Sequence, residues 1–394
     1  MSDSVAPGRA PRSARQTNRH AILRALHLHG ATSRSELVQS TGLTRSAVGS
    51  LVGDLAALGL VEEAGSTRRD GPGRPSSAVR PRGTQVVIAV DLMVDSIGVA
   101  AVALGGAVVR SIRWPRRRTA QPPHEVIDDA LRGIERVTAT LDDDVEVRGL
   151  GVAVPGLISP DDHRVLLAPN LGWVDVDLVA PFRARLGDLP VVVGNDGDVG
   201  ALAEVRRGSA IGHDHVLYVT SEVGVGAGII AGGELVTGSA GIAGEVGHTP
   251  VNPAGRRCSC GAIGCLETEI GEHALLLRAG RTIDEGRQGI ADLLRDAAAG
   301  DTTVIEALRE HTVWVAFGLT GMVHLLNVDV VVLGGLLGEV MPFVHDQLAE
   351  ELNARLLPSM RGTAVVAAAL GEDAPVIGAA ERIWDVVIAE LIAG

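Results

Sequence analysis

Between residues 30 and 60, hydroxyl caps and glycine stops alternate in an order that leaves few choices of fold. Ser33-Arg34-Ser35-Glu36 is a capping box: the serine hydroxyl caps the N-terminal amides of a helix while Glu36 reaches back. That helix is short, reaching residue 40, and Thr41-Gly42-Leu43 follows as a tight glycine turn. Thr44 starts the next helix, with Val48, Leu51, Leu55 and Leu58 on one face and Gly59 closing it. Ahead of both, residues 18–29 carry Ile22, Leu23, Ala25 and Leu26 at helical spacing, and Gly30 ends the run. Two short helices around a glycine turn, the second longer and amphipathic, make a helix-turn-helix. In that geometry the second helix enters the DNA major groove by its N-terminal residues, here Thr44, Arg45, Ser46 and Gly49. Residues 60–63 and 77–80 read as the two strands of a wing. Between them lies Arg68-Arg69-Asp70-Gly71-Pro72-Gly73-Arg74-Pro75, whose slim Gly-Arg-Pro unit can lay Arg74 along a narrow minor groove.

Charge supports this reading once it is divided along the chain. The net formal charge is −13, yet residues 1–82 hold 12 Arg against 6 acidic residues, a surplus of +6 that leaves −19 on the remainder. A basic head on an acidic body is the electrostatic footprint of a DNA binder. Residues 1–16 read as a disordered basic tail, and 17–82 as the winged helix-turn-helix domain. They contain no apolar stretch of the kind a secretory signal needs, and nowhere does an apolar run reach the roughly 18 residues that span a bilayer. A cytoplasmic protein with no membrane partner is expected.

The body alternates strands and helices. Residues 85–91, 96–104 and 107–114 read as strands, 126–141 as a helix and 148–154 as a further strand. From Val191 the plan recurs: a strand into Gly194-Asn195-Asp196, a helix to Arg207, then strands at 215–220 and 228–231. Two similar halves predict a duplicated α/β fold with a ligand cleft between lobes, at the carboxyl ends of strands. Aromatic residues make up only 2% of the chain, so its cores are built from Ala, Val, Leu and Ile.

The chemistry-bearing motifs lie in this body. All three cysteines, Cys258, Cys260 and Cys265, fall within eight residues and follow His248. One imidazole and three thiolates make a closed, tetrahedral, structural Zn²⁺ site. Asp196, between a strand and a helix, is either a general base toward a hydroxyl or the helix N-cap. The glycine-rich segment from Thr220 to Gly228 reads either as a phosphate-wrapping loop or as a β-hairpin.

Together these residues resemble the ROK family (repressor, open reading frame, kinase). The specific part is Gly244-Glu245-Val246-Gly247-His248, then Cys258-x-Cys260-Gly261-x-x-Gly264-Cys265-Leu266-Glu267, with Leu370 to Ala380 similar to the family's C-terminal segment. The resemblance implies a two-lobed actin-like, ribonuclease-H-like sugar-kinase fold. The first lobe would be 84–195, completed by 375–394, and the second 196–374 with the zinc site. Carried over by position, Glu245, His248 and Glu267 would hydrogen-bond sugar hydroxyls, and His248 would bind zinc through its other ring nitrogen. Asn195 and Asp196 would meet the reactive hydroxyl, Asp196 as a kinase base. Asn170 would add a sugar contact, and the turn at Pro155-Gly156 would approach the sugar through its backbone.

The chain departs from the family's kinases at their first phosphate loop, Asp-x-Gly-Gly-Thr. Here the stretch is Asp91-Leu92-Met93-Val94-Asp95-Ser96, with both glycines and the threonine gone and a carboxylate added. Gly334-Gly335, which resembles the adenosine-side turn, remains. The expected function is a sugar-responsive transcriptional regulator, a repressor whose kinase domain has lapsed and whose Asp196 is vestigial. The alternative is an ATP-dependent hexose or N-acetylhexosamine kinase carrying a DNA-binding head. Operator DNA, a sugar effector and further copies of the chain, as a homodimer or homotetramer, are the expected partners.

Overall fold

The computed structural model describes residues 14–64 and 78–392. Arg68, Arg69 and Arg74 lie outside the described residues, as does most of the expected basic tail. Residues 14–16, expected in that tail, belong to the first helix instead. Helix α1 spans Ala14–His29, because Arg15 and Arg19 both reach Asp54 on the third helix, at 2.6 and 3.1 Å.

The head follows its local signals. Strand β1 (Thr32–Ser33) leads into α2 (Arg34–Thr41), capped by Ser33 with the reciprocal Glu36 bond and closed by Gly42 in the left-handed region. Helix α3 (Arg45–Ala57) is capped by Thr44, whose hydroxyl accepts from the Ala47 amide. Strands β2 (Val61–Ala64) and β3 (Ala78–Pro81) pair antiparallel as the wing. Strand β1 adds to the far edge of β3, a pairing that two residues of sequence do not announce.

The body is built on two five-stranded sheets of identical plan. The first contains β4 (Gln85–Leu92), β5 (Ser96–Ala103), β6 (Val108–Pro115) and β7 (Glu146–Val154), with α4 (Pro123–Thr138) packed on it. A small antiparallel sheet follows: β8 (Leu157–Ile158), β9 (Val165–Ala168) and β10 (Trp173–Val176). After α5 (Val179–Leu186), β11 (Val191–Asn195) returns to the main sheet beside β7, and α6 (Asp196–Arg207) leaves it. The second sheet contains β12 (Val216–Ser221), β13 (Val225–Ala231) and β14 (Glu234–Leu235). Helices α7 (Glu267–Ile270), α8 (Glu272–Arg278), α9 (Gly286–Ala298) and α10 (Thr302–Leu326) come next. Strand β15 (Val330–Gly334), α11 (Gly335–Arg355), β16 (Ala364–Ala367) and α12 (Ala374–Leu391) complete the chain.

The sheet orders are β11-β7-β4-β5-β6 and β14-β13-β12-β15-β16. In each, an antiparallel meander of three strands is extended by two parallel ones. The repeat therefore restarts at Val216 and not at Val191. The run at 191–195 is the fifth strand of the first sheet, which is why it is short and followed at once by a helix. Helix α12 covers the first sheet, with Ala379, Ala380, Ile383 and Trp384 buried in one core together with Ile22, Leu23 and Leu26 of the head. Head and first lobe thus share a single hydrophobic core.

Candidate sugar and metal site

The carboxyl ends of β7, β11 and β12 converge on one cleft, as the α/β plan requires. At the end of β11, Asn195 is the N-cap of α6. Its Oδ1 accepts from the Gly197 and Asp198 amides at 2.8 and 3.1 Å, and its Nδ2 donates to the Gly156 carbonyl at 2.9 Å. The cap is therefore Asn195, and Asp196 is the first helical residue with its carboxylate free to face the cleft. Gly156 has φ of 137°, and a methyl there would stand 2.5 Å from the Leu167 carbonyl oxygen, so only glycine fits this turn. Asn170 sits in the 3₁₀ turn between β9 and β10, which the small sheet holds over the same cleft.

From the second lobe come Glu245 and His248, around a 3₁₀ turn at Val246–His248, and Glu267 at the start of α7. All seven residues predicted for the sugar (Gly156, Asn170, Asn195, Asp196, Glu245, His248 and Glu267) line one cavity of about 490 Å³. The acids are tuned by burial, which pushes Asp196 up to about 6 against the restraining Gly197 amide. Burial also raises Glu245, with neighbouring His248 opposing the shift.

The metal candidates surround the same imidazole. Ligand atoms of His248, Cys258, Cys260 and Cys265 all lie within 4.8 Å of one another. The His248 Nδ1 is 3.6 Å from Cys258 Sγ, while Nε2 points the other way, 3.8 Å from Glu245 Oε2. Cys260 and Cys265 place their sulfurs 3.7 Å apart. The turn closes through Gly264, whose φ is 72° and whose amide donates to the Arg256 carbonyl.

A second cavity of about 670 Å³ opens on the far side of Asp196, lined by Asp91, Asp95, Arg118, Glu222, Arg287 and Gly335 among others. Asp91, Asp95 and Ser96 belong to the stretch that the resemblance sets against the family kinases' first phosphate loop. The loop is held by arginines: Arg116 Nη1 donates to the Met93 carbonyl, and Arg118 Nη2 to Asp95 at 2.7 Å. Arg118 also reaches across to Glu272 of α8 at 2.6 Å. Asp91 is buried with Arg113 2.9 Å away, and burial lifts it to about 7. Glu222 was not singled out by the sequence, though it sits at the tip of the glycine-rich segment. That segment is the β12–β13 hairpin, and it aims Glu222 into both cavities. Burial lifts Glu222 to about 8, Arg287 opposing and Asp95 adding. One glycine of the hairpin serves packing: a methyl at Gly228 would stand 2.4 Å from the Gly197 carbonyl oxygen, so α6 lies directly on β13.

In the head, Thr44, Arg45 and Ser46 are exposed at the start of α3, with Gly49 half-buried one turn on. Arg45 makes no ion pair among the described residues, whereas Arg34 and Arg80 are tied to Glu63 and Glu62 of the wing.

A winged head on two pseudo-equivalent lobes with this cleft defines a class of protein. Residues 87–385 match the ROK family and residues 16–71 the MarR family of winged helices, and the chain belongs to the ROK family. It is 27% identical to the xylose repressor of Bacillus subtilis, over 94% of this chain and 96% of that one. It is 30% identical to the glucokinase of Thermotoga maritima, over 75% of this chain and 96% of that one. Among solved structures, a ROK family transcriptional regulator homologous to the E. coli MLC protein superposes with a TM-score of 0.79 at 22% identity, covering 96% of this chain and 99% of that one.

Proposed function

We propose that the chain is a sugar-responsive DNA-binding repressor whose ROK body is a receptor and not a kinase. The observation that carries this reading is the asymmetry of the cleft. The sugar half gathers all its predicted residues around one cavity, while the nucleotide half presents Asp95 and Glu222 where phosphates would lie. Asp95 reaches that cavity tied to Arg118 at 2.7 Å and Glu222 is held toward its neutral form by burial, so neither supplies the amide-lined cradle that loop glycines give a polyphosphate. The relatives support the same side: the repressor match spans 94% of the chain and the glucokinase match 75% of it.

Glu245, Glu267 and the Nε2 of His248 bind sugar hydroxyls in this reading. Asn170 adds a contact, and Gly156 approaches through its backbone. Asn195 acts mainly by holding Gly156 and Asp196 in place, since both ends of its amide are committed. His248, Cys258, Cys260 and Cys265 would hold a structural Zn²⁺, and the donor set fits: three soft sulfurs and one imidazole nitrogen converge within 4.8 Å of one another, with Glu267 Oε1 beside them at 2.8 Å from Cys258 Sγ. Bound zinc supplies a fixed point that orients the imidazole toward the sugar. Arg45, with Thr44, Ser46 and Gly49, faces the operator, and Arg74 extends the contact from the wing. A homodimer or homotetramer would present paired heads.

The test is a fluorescence assay of binding to the chain's own upstream DNA, titrated with D-xylose, D-glucose and N-acetylglucosamine. Release by one of them is expected; unaltered DNA binding, with no sugar raising the melting temperature, overturns the reading. One observation favours the kinase alternative: Asp196 stands between the two cavities with a raised pKa, as a general base would. ATP-dependent phosphorylation of any of these sugars, abolished in Asp196→Asn, would establish it.

A further inference from the structure

Helix α6 begins in the sugar cavity and ends on the DNA-binding head. We propose that this one helix is the physical link by which an occupied cleft moves the head, with Arg206 and Arg207 as the positioning residues. The proposal rests on the receptor reading for its signal but not for its mechanics.

At the cleft end, Asn195 and Asp196 line the cavity, and Asn195 fastens the helix to the Gly156 turn at 2.9 Å. Twelve residues later, about 18 Å along the axis, come Arg206 and Arg207. Arg207 donates to the carbonyls of His27 and Leu28, the last turn of α1, at 2.8 and 3.2 Å. Those carbonyls are the acceptors a helix terminus leaves unpaired, so the guanidinium completes α1. Its Nε donates to Glu381 of α12 at 2.8 Å, and Arg206 binds Glu381 and Asp385 of the same helix.

His27 closes the knot. The Gly105 amide donates to its Nδ1 at 3.0 Å, so Nδ1 is an acceptor and the proton sits on Nε2, 3.0 Å from Glu381 Oε2. The imidazole also lies 5.5 Å from the Trp384 ring. His27 and Glu381 are both fully buried, which makes every bond in the knot costly to lose.

Between its ends α6 has little freedom to slip. A methyl at Gly378 of α12 would fall within the Val199 carbonyl, and Gly197 lies against the backbone of β13. Buried Glu204 accepts from the amides of Ala369 and Leu370, just ahead of α12. A close-packed helix pinned at both ends moves as a body, and a displacement at Asn195 reaches α1 through Arg207.

Hydrogen–deuterium exchange on the full chain tests this without any ligand, using Asn195→Ala to loosen the cleft end. Loss of the N-cap is expected to speed exchange in residues 22–29 of α1 by about fivefold. In an Arg207→Met background the same substitution is expected to leave α1 unchanged, the non-additivity of coupled sites. Because Arg207→Met strands a buried carboxylate, the Arg207→Met/Glu381→Gln pair is measured in parallel and keeps the test open if the single variant unfolds. Unaltered α1 exchange in Asn195→Ala, or an undiminished effect in both Arg207 backgrounds, overturns the link. D-xylose and D-glucose form the second arm: either is expected to bind wild type and the double variant with the same midpoint, and to alter α1 exchange only in wild type. A sugar that alters α1 equally in both overturns the link. If neither sugar binds, the receptor reading fails for them, and the Asn195→Ala arm alone decides the link.

Discussion

Glu245 Oε2 lies 3.8 Å from His248 Nε2, on the side of the imidazole turned away from the cysteines. One ring thus has a face toward the thiol cluster and a face toward the cleft.

Removing the metal should therefore weaken sugar binding from outside the cavity. We expect one zinc per chain by atomic absorption, reduced in Cys260→Ser. The same variant should bind sugar roughly 10–100-fold more weakly, the usual cost of disturbing a group that orients a ligand-binding histidine. Unchanged affinity in a zinc-free variant would separate the two sites.

Glu245→Gln keeps the shape of the cavity and removes a charged acceptor. The expected loss is about 1.5–3 kcal/mol of sugar affinity, read by isothermal titration, with melting temperature in the absence of sugar little altered.

Arg45→Ala should weaken operator binding and lower the slope of log affinity against log salt by about 1 if the contact is to phosphate. Relaxed preference at one base pair, with the slope unchanged, would instead place it on a base edge.

Stability should rise and then fall with pH. Glu381 is subject to burial, which would raise it, but the His27 bond and the two arginines outweigh this and hold it at about 2. Its contribution is present above the unfolded carboxylate range and is lost as pH falls toward 2. Asp196, Asp91 and Glu222 are shifted the other way, to about 6, 7 and 8, so the folded state binds their protons more tightly than the unfolded chain does. Stability is therefore lost as pH rises from about 4 through 8. Glu222→Gln should flatten that upper limb, gaining on the order of 1–3 kcal/mol over wild type at pH 8 and little at pH 5, measured by urea midpoints.

Gly156→Ala forces a side chain into a left-handed backbone against the Leu167 carbonyl. We expect a loss of about 2–4 kcal/mol in unfolding free energy together with sugar affinity, since the turn is part of the cavity wall.

The head and the His–Cys cluster were legible because their signals are local. Ser33 and Glu36, Thr44 and Ala47, and the cysteines at 258, 260 and 265 are separated by a few residues, and spacing alone brings them together. The restart of the repeat lies at Val216 and not at Val191, because in sequence a strand that pairs across to β7 looks no different from one that begins a new half. Asp196 as N-cap or as a carboxylate facing the cleft is decided only by the helix start, which gives the free amides to Asn195.

The sequence by itself determined the winged head, the alternating strands and helices of the body and the grouping of the thiols, all of which are properties of residues near one another in the chain. The tertiary structure alone decided where the repeat restarts, what holds the stretch from Asp91 to Ser96, and how head and body are joined. Arg118 meets Glu272 across 154 residues, and His27 meets Glu381 across 354. Each pair exists only because two packed cores bring opposite ends of the chain within hydrogen-bonding distance, and burial there leaves a polar group stable only beside its partner.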